Sequence, residues 1–371
     1  MQHGSDILII GGGVIGLTTA FQLAGQGVSV TVVDRQRVGC EASWAGAGML
    51  PPGDLATAAT PESRLRSSSY EMWEQFSAQL REVSGIDNGY RKCGAVEVAP
   101  DGAVIELQIQ QWQAEGLDCE TLDRAALERY VPGLNPEIQR GAYLPEFAQV
   151  RNPRHLKALA IACQRRGVEI LEEVGPISVR AQGRSVEVTS PSRHFGADRL
   201  CLTAGSWTGQ LVKPLGVELP VAPVRGQIAQ LRVGQLPFSC VIERGRRYMV
   251  PRADGLILVG STEEHVGFEK RNTTEGISAL LGFAESIVPE LGAAEVVRCW
   301  AGLRPGSPDE LPFVGPLPGY DNVFVGAGHF RSGLQMSPAT AAVLADLMLD
   351  RSPAISLDGL GLNRITIPAN V

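Results

Sequence analysis

The sequence predicts an α/β fold in which two units are interleaved along the chain. Three observations carry this expectation. Residues 6–33 alternate an apolar run, a glycine loop, a helix-period stretch and a second apolar run. Residues 200–207 form another apolar run that ends in a glycine turn, and residues 323–349 repeat the order of run, glycine loop and helix pattern. Between these pieces, about 88–150 and 218–318, lie short β-rich stretches.

Taken in order, residues 6–10 stop at glycines, as a short buried strand should. Residues 14–24 carry apolar side chains at helical spacing and end near Gly25 and Gly27. Residues 28–33 form the next strand, closed by Asp34, which completes a βαβ unit. Residues 42–50 are small, and Pro51-Pro52 breaks the chain. The long helix pattern over 61–83 puts Leu65, Met72, Trp73, Phe76 and Leu80 on or near one face. Residues 153–166 read as a helix, and 168–171, 186–189 and 200–203 as strands. Further strands are expected at 227–231, 248–250, 256–260 and 296–301, with a helix over 273–287. The chain closes with a strand at 323–325 and a helix at 337–349.

With 371 residues the chain is long enough for two domains. Apolar content of 44% and charge of 20% are ordinary for a globular protein. A net charge of −7 and the lack of basic–aromatic clusters argue against nucleic acid as a partner. Seven scattered cysteines without a Cys-x-x-Cys pair form neither a zinc pattern nor a disulfide framework, which suggests reduced thiols in a cytoplasm. No targeting segment or membrane span is expected. The five histidines do not cluster and no metal site is expected. No Gly-x-Ser-x-Gly elbow or nucleophilic cysteine arrangement is present.

Gly11-x-Gly13-x-x-Gly16 sits between the first strand and helix. Its glycines allow the tight turn, the approach of main chain to a pyrophosphate, and close helix–strand packing. Asp34 lies 18 residues past Gly16, where a carboxylate can accept hydrogen bonds from a ribose. A second glycine loop, 326–335, also opens onto a helix and could hold the far end of a long cofactor. That favours a flavin dinucleotide over a nicotinamide one; a plain turn is the alternative. The small residues 43–49 let a planar ring or phosphate lie against main chain, or serve packing alone. The expected architecture is therefore a Rossmann-like FAD-binding domain (1–87, 151–217 and 319–371) interleaved with a smaller β-rich α+β substrate domain (88–150 and 218–318).

Arg304 and Arg331 each lie in apolar, glycine-containing context, where a charge is expensive unless paired. A guanidinium can hold a carboxylate by two parallel bonds, or form a structural salt bridge. Tyr248 could offer its hydroxyl to a carboxylate or be an ordinary strand tyrosine. Glu263-Glu264-His265 suits a solvated turn or pocket rim, and the roles of Glu263 and Glu264 stay open.

The segments IIGGGVIG, SWAGAGML, LTAGSW, PVRGQI, YMVPR, GSTEEHVGF, WAGLRPGSPDELPFVGP and GAGHFRSG, in this order and spacing, resemble the glycine oxidase branch of the D-amino-acid oxidase family of flavoproteins. Residues 88–150 match more loosely. The resemblance implies that Val14, Ile15, Asp34, Arg35, Ala42, Ser43, Ala47, Gly48 and Met49 line the adenosine and pyrophosphate path. Pro176 stands where an apolar residue's main chain meets the adenine, although proline has no N–H. His329, Phe330, Arg331, Ser332, Gly333, Leu334 and Gln335 would cradle the isoalloxazine. Tyr248 and Arg304 would bind the substrate carboxylate with Arg331 close by. Relatives that attach flavin covalently use a cysteine near 300–305. This chain has none at the matching place, only Cys299 nearby, so noncovalent FAD is implied.

The implied reaction is FAD-dependent oxidative deamination of glycine and other small amino acids by direct hydride transfer, with no dedicated base. The imine hydrolyses to a 2-oxo acid and ammonia, and oxygen is reduced to hydrogen peroxide. In this branch the imine of glycine feeds the thiazole half of thiamine. A homo-oligomer is expected. The rivals are an oxidase or dehydrogenase of sarcosine, proline or a D-amino acid, a flavin-containing RNA-modifying protein, and a noncatalytic subunit of an amine dehydrogenase.

Overall fold

The computed structural model describes residues 5–99, 102–182 and 185–364. The outermost residues of the expected ranges, 1–4 and 365–371, lie outside them. A six-stranded sheet runs in the order Phe313–Pro316, Val323–Ala327, Ala197–Leu202, Ser5–Ile10, Val30–Val33, Glu169–Leu171. All its pairings are parallel except that of Phe313–Pro316. Side chains alternate across such a sheet. Ile7 and Ile9 accordingly enter one core, with Leu17, Phe21 and Leu344, while Leu8 and Ile10 enter another with Leu200 and Val325. Burial on both faces explains why these strands read as continuous apolar runs.

Helix Pro61–Ser84 packs on helices Asn152–Arg165 and Ser337–Met348. Thr60 and Ser63 form a capping box at its start, and Gly85 in the left-handed conformation ends it. Trp73 is fully buried, and its Nε1 donates to Gln335 O at 2.8 Å, which ties this helix to the late glycine loop.

The second sheet has eight strands, in the order Glu295–Gly306, Ala222–Arg232, Leu256–Gly260, Arg247–Arg252, Val241–Arg244, Ala95–Val98, Gly141–Leu144, Glu120–Leu122. One face packs on helix Thr274–Ile287 through Met249, Ile257, Val259, Leu280 and Phe283. Thr273 caps that helix by accepting from Gly276 N at 3.1 Å, so it starts one residue later than the pattern predicts. The other face carries Ile228, Tyr248, Val250, Leu258 and Trp300. Period-two alternation thus aims Tyr248, Trp300 and Arg304 to the same side.

Two expectations shift. The strand expected at 296–301 runs over Glu295–Gly306, because Ala222–Arg232 pairs along it as far as Gly306. Arg304 is therefore a strand residue opposite Val224. Phe313–Pro316, inside the range 218–318 expected for the second domain, pairs with Val323–Ala327 in the six-stranded sheet. Among the described residues no helix is long and apolar enough to cross a membrane.

Candidate active site

Between the sheets lies a cavity of about 680 Å³. Its nucleotide-like end is built on the first loop. Gly11 has φ +106°, and a Cβ there would stand 2.5 Å from Thr203 O. A Cβ on Gly16 would stand 2.0 Å from Gly11 O. Gly16 is thus needed for packing and, unlike Gly11 and Gly13, does not itself line the cavity. At Gly13 an added Cβ would meet only Ser43 Oγ, at 3.2 Å, so this glycine faces open space. Ser43 Oγ accepts from Val14 N at 3.0 Å. Helix Val14–Ala24 begins here without a cap from the Gly13 position, and Val14 and Ile15 of its first turn line the cavity.

Asp34 ends its strand and accepts from Gly12 N and Gln36 N, each at 2.8 Å. Burial nevertheless holds its carboxyl above the ordinary range. Arg35 lies 3.8 Å over the Trp207 ring. Pro176 lines the same end, and its neighbour Ile177, which has an N–H, lines it too.

The small-residue segment forms a wall. Ala42–Ala45 is one helical turn, and Ala42, Ser43, Ala47, Gly48 and Met49 all line the cavity. Gly48 has φ +74°, and a Cβ there would collide with Val150 O. Val150 N donates to Gly48 O at 2.8 Å and Asn152 Nδ2 to Ser43 O at 2.7 Å, clamping the wall. The late loop forms the opposite side, with every residue from His329 to Gln335 exposed to the cavity. Phe330 takes φ +47°, and its N–H donates to Pro305 O at 2.9 Å. His329 is buried with Nε2 3.1 Å from Thr340 Oγ1, and burial lowers its pKa to about 3. Gln335 Nε2 donates to Pro51 O at 2.8 Å.

The third part is polar. Arg304 Nη2 donates to Ser261 Oγ at 2.7 Å and Nη1 to Thr262 O at 3.1 Å. Tyr248 pairs with Gly260 on the neighbouring strand, which places its hydroxyl beside Ser261 and Arg304. Burial raises the Tyr248 pKa and lowers that of Arg304. No carboxylate of the described residues lies within ion-pair distance of Arg304. Arg331 is different: its Nε donates to Glu263 Oε2 at 2.9 Å, its Nη2 contacts the same oxygen, and its Nη1 donates to Glu310 Oε2 at 3.1 Å. Glu263 also accepts from Arg246 at 2.7 Å. Glu264 turns away from the cavity and pairs with the buried Arg225 and with Gln227 Nε2, the latter at 2.7 Å.

All the expected site residues except Gly16 therefore meet on one cavity. Reading the sequence misses Ser261, Asn152 and Glu243. Glu243 stands opposite Glu97 and Tyr248 on neighbouring strands, and burial raises both carboxyls. Only strand pairing brings these together. Thr203 could have been found from the strand-to-glycine turn that precedes Trp207. None of the cysteines lines the cavity, and Cys299 packs on the opposite face of its strand, toward the core under helix Thr274–Ile287. Among the described residues no cluster suits a metal ion.

The cavity has a glycine-lined end suited to a pyrophosphate, a long apolar passage, and an unpaired guanidinium beside a phenol at the other end. The chain is 38% identical to a glycine oxidase of Pseudomonas aeruginosa, over 94% of its own length and 96% of the relative's. It is 36% identical to a bifunctional protein ThiO/ThiG of Synechocystis, over 96% of this chain and 53% of that one. The crystal structure of glycine oxidase from Geobacillus kaustophilus superposes with a TM-score of 0.94 at 28% identity, covering 99% of this chain and all of that one. Residues 6–347 match the family described as FAD dependent oxidoreductase, DAO, and the chain belongs to that family.

Proposed function

We propose that this chain oxidises glycine and other small amino acids to the imine, which water converts to the 2-oxo acid and ammonia. The observation that carries the proposal is Arg304, a half-buried guanidinium on the cavity wall without a carboxylate partner among the described residues. A buried cation is costly unless an anion joins it, and an amino acid carboxylate fits the planar fork. Tyr248 supplies a third donor at the same place. The two would hold the carboxylate and present the rest of a small substrate to the passage leading to His329–Gln335.

The cavity fits FAD. Gly11, Gly13 and the start of helix Val14–Ala24 would take the pyrophosphate, Asp34 the ribose, Ile177 or Pro176 the adenine edge, and the late loop the ring system. FAD when bound supplies the two-electron acceptor, which oxygen restores with release of hydrogen peroxide. For glycine the balance is glycine, oxygen and water to glyoxylate, ammonia and hydrogen peroxide. The protein's own work is to orient the substrate and exclude water. The amine reacts once neutral, and its lone pair assists without a dedicated side-chain base.

The absence of cysteines on the cavity wall supports noncovalent FAD. The likeness to ThiO/ThiG supports a role in making the thiamine thiazole. Seven free cysteines, several deeply buried, support a reducing cytoplasm. A homo-oligomer and the division into domains 1–87, 151–217 and 319–371 against 88–150 and 218–318 belong to the same proposal, with Phe313–Pro316 moved to the first. Sarcosine, proline or other secondary or D-amino acids as main substrates are not favoured, since the relatives are named glycine oxidases. Hydrogen peroxide production on glycine, sarcosine, proline and D-alanine tests this. Glycine is expected among the good substrates; turnover of proline alone would overturn the proposal.

A further inference from the structure

Three arginines, Arg246, Arg304 and Arg331, line the substrate end of the cavity, but they are not equivalent. Arg304 has neutral partners only. Arg331 directs one edge of its fork, Nε and Nη2, onto a single oxygen of Glu263, and its remaining Nη1 onto Glu310. Arg246 spends its Nη1 on the other oxygen of Glu263 at 2.7 Å. Glu263 also lines the cavity, and its side chain is 22% exposed, less than Arg331 at 35% or Glu310 at 54%. The Nε–Nη2 edge is one of those on which a guanidinium receives a carboxylate by two parallel bonds. Glu263 occupies it from inside the chain.

We propose that Glu263 is a specificity-determining residue that restricts this site to amino acids with a single carboxylate. This rests on the reading of Arg304 as the substrate carboxylate's partner. With Glu263 in place, a second carboxylate near Arg331 meets a negative charge and a fork already filled. Without it, Arg246 loses its partner and the Nε–Nη2 edge of Arg331 opens while its Nη1 stays with Glu310, and a dicarboxylic amine gains a second anchor.

Glycine and iminodiacetate, which differ by one carboxymethyl group, are the probes. In Glu263→Gln holoenzyme the ratio of kcat/KM for iminodiacetate to that for glycine should rise by at least about tenfold over wild type. The double variant Glu263→Gln, Arg331→Gln should lose that gain. An unchanged ratio in the single variant, or a gain that survives in the double variant, would overturn the inference. Should the variant fail to keep FAD, spectral titration of the wild-type flavin serves instead. Acetate should perturb the spectrum at a lower concentration than malonate, and tighter binding of malonate would overturn the inference. Failure of the wild type to oxidise glycine would instead count against the proposed reaction, and the titration with acetate and malonate would still judge Glu263 by itself.

Discussion

Arg304 and Tyr248 project from the same face of the eight-stranded sheet, with two strands between theirs, and come together beside Ser261. Arg304 Nη2 donates to Ser261 Oγ at 2.7 Å, and the Tyr248 hydroxyl lies beside both, its strand paired with Gly260. The guanidinium is therefore oriented without being neutralised, as a site awaiting an anion requires. Arg331, a few residues into the late loop, is neutralised by Glu263 and Glu310.

Gly13→Leu should abolish FAD retention. The only atom near a Cβ at this position is Ser43 Oγ, so the new side chain would project into the space where main chain must meet the pyrophosphate. Purification followed by absorption at flavin wavelengths checks this. A folded Leu variant that retains one FAD per chain would contradict the placement of the dinucleotide.

The purified chain should be yellow, and acid precipitation should leave its flavin in the supernatant. No cysteine lines the cavity, and Cys299 packs on the other face of its strand. Flavin that stays with the precipitate would contradict noncovalent binding.

Much of this site was legible in the sequence because it is local. The turn at Gly11–Gly16, the carboxylate that closes the second strand and the loop from His329 are each set by neighbours in the chain. Their convergence follows from βαβ handedness and parallel pairing. Residues placed by distant strand pairing were not legible. Ser261 touches Arg304 from 43 residues away, and Asn152 reaches Ser43 across 109. Glu263 joins Arg331 across 68 residues, and nothing local distinguishes it from Glu264, which faces Arg225. The strand holding Arg304 continues past 301 through Gly302 and Pro305, both poor strand residues. At the edge of the sheet, Glu295–Gly306 has only one neighbour, so a missing N–H is tolerated.

Acid should destabilise the fold through two buried histidines. Burial lowers His155 and His329 from 6.5 to about 3. Between these values the unfolded chain binds protons that the folded chain does not, so the histidines' contribution is complete above pH 6.5 and falls as pH drops. Each group adds a slope of about 1.4 kcal/mol per pH unit in that window. Glu97 and Glu243, raised by burial, act in the opposite sense there, so the difference between variants is the readout. His155→Gln should show a shallower fall in urea-unfolding stability from pH 6.5 to 5 than wild type. Parallel curves would contradict the assignment.

Flavin reduction per mole of bound FAD in Arg304→Ala, measured anaerobically with glycine, tests the central claim most directly. The variant should stay yellow, because Arg304 bonds Ser261 and Thr262 and no residue of the Gly11–Gly16 turn. Losing a charged hydrogen bond costs about 1.5–3 kcal/mol, more if the carboxylate is left buried and unpaired, so kcat/KM should fall roughly 10- to more than 100-fold. Arg304→Lys should recover only part, since an ammonium lacks the planar fork. A variant that binds FAD and reduces it with glycine at the wild-type rate would remove Arg304 from the active site.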